Sequence, residues 1–381
     1  MNEYQSAYLR QTTPVTPTYM TGYTSPSVSQ QVIDLLESRP PIPAAYDILM
    51  EVEDYSSIDG DFEYVPFFWH VYRSAGGTMI QLMGECLGLT LASSFPFAID
   101  GLFQADTTPR VMRYDDVKYF NVNLKTQAGI QRAKNMEIVL NTQTDPDAVI
   151  SPYLYGIIST LLSKKERYSE PVKGGMFTMT RNPIEREISN FYSVRSQSED
   201  KEVSSYELSD WIGLPTYAGN SMIRQLTNKM DPAITVTLED LLVAKEILRR
   251  KCIIGLLEQK QESWSRFQQI HDKRWKLKDR DYNSACVDRL LNWGWRNRNS
   301  IKPFIDISVE KSLQREDRSI VDKTTYKQIA SLNQLDMLLY EYCKYLFTQQ
   351  RVLFYEDEST NDSTNGATHS TNNNSTEVPS V

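Results

Sequence analysis

From about residue 61 to 355, short apolar runs rich in β-branched and aromatic residues alternate with longer amphipathic segments. That alternation restricts the fold more than any other feature. The expected strands are Tyr64–Tyr72 (YVPFFWHVY), Val117–Val122, Ala148–Ser151, Gly175–Thr180 (GMFTMT) and Cys252–Leu257. The intervening helices are expected at Thr78–Leu87, Gln127–Met136, Tyr153 to about Lys164 and Ile184–Val194. Thr237 and Asp240 form a T-x-x-D capping box that starts a further helix running to Arg250. Leucines recurring at helical spacing predict helix across Tyr326–Val352. Strands separated by helices of this length pair in parallel, and the sheet is covered on both faces. The expected class is therefore α/β, three layers around a central parallel sheet. In such sheets ligands bind outside the carboxyl ends of the strands.

Two flanking regions differ in composition. Residues 1–60 are polar and rich in Thr, Ser, Pro and Tyr, with one short helical candidate at Val32–Glu37. Residues 356–381 are an acidic Asn/Ser/Thr tail, expected to be disordered, with N-x-S/T triplets at Asn361, Asn373 and Asn374 that its composition alone makes common. Five of the acids behind the net charge of −8 lie in that tail. The body is nearly balanced, which argues against a nucleic-acid partner. Four scattered cysteines show no CxxC spacing, and the three histidines are too few for a His-rich metal site. No metal is expected. Cys86 and Cys252 sit in apolar runs and read as buried, inert thiols, with a single bridge as the alternative. No stretch approaches the roughly 18–20 apolar residues of a membrane span, and the N-terminus lacks the basic-then-apolar order of a signal peptide, so the chain reads as soluble.

Two of the expected strands deliver an anion-binding pattern at their carboxyl ends. After Tyr72 come Arg73, Ser74, Ala75, Gly76, Gly77, Thr78 and Met79. Paired glycines let the backbone approach a ligand, and the following helix presents unpaired N–H groups to it. Arg73 adds charge, and Ser74 and Thr78 add hydroxyls. There is no GxxxxGK[ST], so this is not a Walker A loop, and a P-loop kinase is the weakest functional reading. After Thr180 comes Arg181-Asn182-Pro183-Ile184-Glu185-Arg186-Glu187-Ile188-Ser189. Arg181 and Ser189 could converge on one phosphate, while Arg186 is expected to pair with Glu185 or Glu187 or to face solvent. Taken singly, each motif also reads as a capped turn with surface charge.

Together the motifs resemble those of PAPS-dependent sulfotransferases of the carbohydrate (heparan or uronyl) type. There H-x-P-K-[ST]-G-G-[ST]-[ST] binds the 5′-phosphosulfate end of PAPS, and R-x-P-x-x-R-x-x-S binds the 3′-phosphate. The resemblance extends in order over KYFNVN, SPYLYGIISTLL, NSMIRQLTNK, LLVAKEILRRKCIIGLLEQKQESWSRF and LDMLLYEYCKYLF, about residues 62 to 350. It implies a P-loop-like fold and sulfuryl transfer from PAPS to a carbohydrate hydroxyl. It also implies a Golgi-lumen location with an N-terminal anchor that this sequence does not display; a soluble, cytoplasmic protein is the alternative.

Two departures bear on catalysis. The family lysine is Arg73 here, which takes the catalytic place and would stabilise charge on the leaving phosphate. It is a planar fork that keeps its proton, so anion binding is better preserved than transfer. A base for the acceptor hydroxyl is also hard to find. Asp147–Leu162, where related enzymes hold a histidine, contains only Asp147 and the phenols of Tyr153 and Tyr155 as candidates. His70 is a further catalytic candidate, though it reads chiefly as a hydrogen-bonded core group, and the facing of Glu85 is open. The stretch Asn292–Arg298 reads as packed tryptophans with surface arginines, or as a platform for a sugar or adenine. Asp54–Glu63 lacks the order of a calcium loop and reads as a solvated face. These departures motivate the alternative function: a catalytically impaired relative kept as a nucleotide-binding or structural module.

Overall fold

A strand that is apolar at every position must be covered on both faces. Tyr64–Trp69 (β1) meets that condition, with five of its six residues buried. The computed structural model describes residues 38–39, 41–43, 46, 52, 54–55, 64–94, 107–139, 145–162, 173–197, 204–277, 283–292 and 321–354. Its strands are β1, β2 (Thr90–Ala92), β3 (Val111–Tyr114), β4 (Val117–Phe120), β5 (Ala148–Ser151), β6 (Lys173–Thr180) and β7 (Cys252–Leu256). They form one seven-stranded sheet in the order β3-β4-β2-β5-β1-β6-β7. All pairs are parallel except β3–β4. That hairpin turns through Asp115 and Asp116, both at positive φ, as a tight two-residue turn requires.

The helices are α1 (Gly76–Gln81), α2 (Gln127–Asn135), α3 (Leu154–Gly156), α4 (Pro183–Gln197), α5 (Leu208–Ile212), α6 (Ser221–Leu226), α7 (Leu238–Lys251), α8 (Lys260–Trp275), α9 (Ser284–Asn292), α10 (Lys323–Leu332) and α11 (Gln334–Gln349). Alternate residues of β1 point to opposite faces. Phe67 and Trp69 join a core with Ile130, Leu154, Leu248 and Leu339, while Phe68 joins a second with Met79, Trp264 and Phe267. The result is the expected α/β layering, helices on both sides of a mostly parallel sheet.

The capping box of α7 is present, with the Thr237 N–H donating to Asp240 at 2.8 Å. Other expectations need correction. The segment Tyr326–Val352 holds two helices, because Asn333 leaves helical geometry (φ −113°, ψ 26°) and its side-chain amide donates to Ile329 O. Helix α1 does not continue as regular α-helix to Leu87; it widens into a π turn over Leu82–Cys86, with Leu87 N–H bonded to Leu82 O at 3.1 Å. Helix α3 widens likewise over Ile157–Leu162. Cys86 is not an inert thiol but is disulfide-bonded to Cys286 of α9, 200 residues away. Cys252 is free and buried, as expected. Asp54 is not a solvated charge, for it pairs with Arg250 and Lys251. Val32–Glu37, Trp293–Arg298 and the tail triplets lie outside the described residues.

Candidate functional site

Strands β5, β1 and β6 lie side by side, so the segments leaving their carboxyl ends meet at one edge. His70 N–H donates to Ser151 O at 2.9 Å, which carries the β1–β5 pairing one residue past the strand. The chain then turns twice through left-handed backbone, at Arg73 (φ 62°) and Ala75 (φ 66°). For residues bearing a Cβ this costs about 1–2 kcal/mol each, so surrounding contacts must hold the turn. Arg73 has three. Its Nε donates to Ser189 Oγ and its Nη1 to Ser193 Oγ, both at 3.1 Å, and its carbonyl accepts from Arg181 Nη1 at 3.2 Å. The two sequence motifs therefore touch.

Helix α1 starts at Gly76 with Ala75 as its cap, and no side chain accepts from its first turn. The first intrahelical bond is Met79 N–H to Ala75 O at 3.0 Å. The N–H groups of Gly76, Gly77 and Thr78 thus precede any helical acceptor, as at every helix start. Beneath them Ser74 is fully buried, and its Oγ has no hydrogen-bond partner. A buried hydroxyl without a partner is uncommon and marks a place where an acceptor fits. At Gly76 the glycine is required: a Cβ there would stand 1.9 Å from His70 Nε2.

His70 is thereby the floor of the loop. Its ring lies between those of Phe68 and Tyr72, at centroid distances of 6.0 and 5.3 Å. Burial, reinforced by the charges of Lys125 and Arg73, pushes its pKa down to about 4, so the imidazole is neutral. Lys125 is a residue that reading the sequence missed. It follows β4, and the loop is drawn in by Leu124 N–H to Ser93 O (3.3 Å) and by Ser151 Oγ to Leu124 O (2.7 Å). Burial lowers the pKa of its ammonium. A single lysine before the Thr126 helix cap carries no sequence signal of this placement.

On the β6 side, Asn182 caps α4 by accepting from the N–H groups of Ile184 and Glu185, with Pro183 in the first turn. Arg181 also pairs with Glu185 at 3.4 Å. Ser189 and Ser193 lie one helical turn apart and are both buried. Arg186 makes the expected pair with Glu187 but does not face solvent. It is buried and pairs with Glu187 (3.1 Å) but also with Asp336 of α11 (2.9 Å), and it donates to Ser221 Oγ at 2.7 Å.

The candidate bases separate. Asp147 precedes β5 and so lies at the amino edge of the sheet, opposite the loop. Its carboxylate accepts from Thr90 N–H at 2.7 Å, and its carbonyl from Trp275 Nε1. The structure does not bring it to the cradle. Tyr155 donates its hydroxyl to Leu226 O at 2.7 Å, and burial pushes its phenol far up. Tyr153 follows β5 at the right edge, 48% exposed, near Tyr72, whose phenol burial and Tyr153 push up to about 12. Glu85 pairs with Arg289, next to the disulfide, and is not in the site. Among the described residues no His, Cys, Asp or Glu cluster is arranged to hold a metal, and no helix is long and apolar enough to cross a membrane. Set against known proteins, the chain matches no family model and no curated sequence.

Proposed function

We propose that this chain is a PAPS-dependent sulfotransferase with a P-loop-like cradle, moving a sulfuryl group to a carbohydrate hydroxyl. One observation carries the reading: Arg73 and Ser189, 116 residues apart in sequence, are hydrogen-bonded at one sheet edge. A helix start and an arginine–serine pair side by side suit a ligand with two anionic ends. The N–H groups of Gly76, Gly77 and Thr78, the Ser74 hydroxyl and the Lys125 ammonium would receive the 5′ end. Arg181 and Ser189 would receive the 3′-phosphate. PAPS supplies an activated sulfuryl group when bound, and the cradle's donors favour the charge left on its phosphate.

A second reading, nucleotide binding without transfer, is favoured by a specific observation. Asp147 stands at the opposite edge and His70 under Gly76. Of the candidate bases, only the exposed Tyr153 phenol then stands at the carboxyl edge, and no carboxylate or histidine among them faces the acceptor there. Calorimetry with PAP tests both readings, since absence of binding at high micromolar concentration refutes each. If PAP binds, labelled sulfate reaching a glycan from PAPS establishes transfer, and its failure across a glycan panel leaves the binding module. ATP binding more tightly than PAP would point to a kinase-like protein instead. The Cys86–Cys286 bridge fits an oxidising compartment such as the Golgi lumen.

A further inference from the structure

The position of Arg73 in the sequence assigns it to the loop that cradles the 5′ end, in place of a lysine. Its side chain goes elsewhere. The guanidinium reaches across to α4 and forks onto two hydroxyls of one helical face, Nε to Ser189 Oγ and Nη1 to Ser193 Oγ, each at 3.1 Å. An ammonium could also donate to two hydroxyls, but only the planar guanidinium does so from two nitrogens in one fixed geometry, which gives the arginine a physical reason. Because a hydroxyl can accept and donate at once, Ser189 keeps its O–H for a ligand after accepting from Arg73. Arg181 is drawn to the same place through its bond to the Arg73 carbonyl at 3.2 Å. Ser189 and Ser193 are 5% and 7% exposed, so the charge of Arg73 acts in a sheltered setting where screening is weak.

We infer that Arg73 is a specificity-determining residue for the 3′-phosphate, acting with Ser193 to complete the Arg181–Ser189 pocket, and is not the group that contacts the transferring sulfuryl. This rests on the PAPS reading above. Its consequence is selectivity: the protein discriminates 3′-phosphorylated adenosine nucleotides from those with only a 5′ group. Lys125 is then the cation left beside the loop.

The test compares PAP with adenosine 5′-phosphosulfate, which lacks the 3′-phosphate, by calorimetry on the full chain. Wild-type binding of PAP checks the nucleotide reading by itself. Given that binding, Arg73→Ala is expected to weaken PAP roughly ten- to a hundredfold while leaving adenosine 5′-phosphosulfate within about twofold, the size of a lost charge-assisted bond. Ser193→Ala, a milder change in case the first variant does not fold, should reduce the preference for PAP about three- to tenfold. Arg73→Lys should fall between them. If these variants weaken both nucleotides in equal proportion, or if the wild-type protein shows no preference for PAP, Arg73 belongs to the 5′ end and the inference is wrong.

Discussion

The carboxyl ends of β6 and β1 supply the two halves of the proposed site, yet they are secured by opposite means. Behind β6 the anchor is buried charge. Asp336 accepts from Arg186 and from the N–H groups of Met222 and Ile223, at 2.9, 2.9 and 3.0 Å. One carboxylate thus satisfies the motif helix α4 and the first turn of α6 together. Behind β1 the anchor is shape and covalency: two left-handed residues, a glycine resting on His70, and a disulfide from the end of the α1 segment to α9. A half held by buried charge depends on every partner being present. A half held by shape depends on no atom being added.

The sharpest way to break this comparison is to remove the charge. Asp336→Ala leaves Arg186 buried with Glu187 as its remaining charge partner and is expected to cost about 3–5 kcal/mol in denaturant unfolding. A loss below about 1 kcal/mol would show that Arg186 does not anchor α4. Removing the covalent tie should cost less. Cys286→Ser is expected to lower stability by about 2–4 kcal/mol, and a reductant should shift the wild-type midpoint but not that of the variant. If reductant leaves the wild type unmoved, the bridge does not hold α1 to α9.

These anchors also show what was legible in the sequence. The apolar runs read directly as β1, β5, β6 and β7, because a parallel strand buried on both faces has little choice of composition. The Thr237 cap was legible because its partner is three residues away. The pairing of Arg186 with Asp336 spans 150 residues and that of Cys86 with Cys286 spans 200, and no local pattern carries either. Arg186 could be assigned only to its neighbours. The charge of Lys125 acts on His70 through a strand order that periodicity does not specify. Asp147 is different: it precedes a strand whose carboxyl end is the binding edge, so its placement on the far side followed from the expected fold. The motif residues themselves were found by pattern, while where Arg73 points depends on a left-handed backbone that its sequence does not announce.

A change at Gly76 tests the half held by shape. Gly76→Ala sets a methyl against the His70 ring and is expected to cost about 1–3 kcal/mol, with loss of the proposed PAP binding as the loop is displaced. Shortening the floor with His70→Ser should recover part of both. A double-mutant cycle then gives a coupling of about 0.5–3 kcal/mol. Additive effects would mean that the glycine is needed for ligand approach and not for the ring beneath it.

The smallest expected effect uses pH to separate the two halves. Burial holds His70 at about 4 and His271, which packs behind β6 Phe177, at about 3. Both lie below the ordinary imidazole value of about 6.5, so the unfolded chain binds more protons as pH falls. Stability present above that value is therefore lost on acidification through 6.5 toward 4. Between pH 7 and 6 the loss is about 0.5–1 kcal/mol for each imidazole. Glu187, behind β6, moves the other way, because burial raises its carboxyl and the folded state takes up its proton first. His70→Asn should therefore reduce the acid-side slope of unfolding free energy against pH, whereas Glu187→Gln should steepen it. An unchanged slope in His70→Asn would mean that the imidazole under Gly76 is not held neutral, and that the β1 loop depends on charge after all.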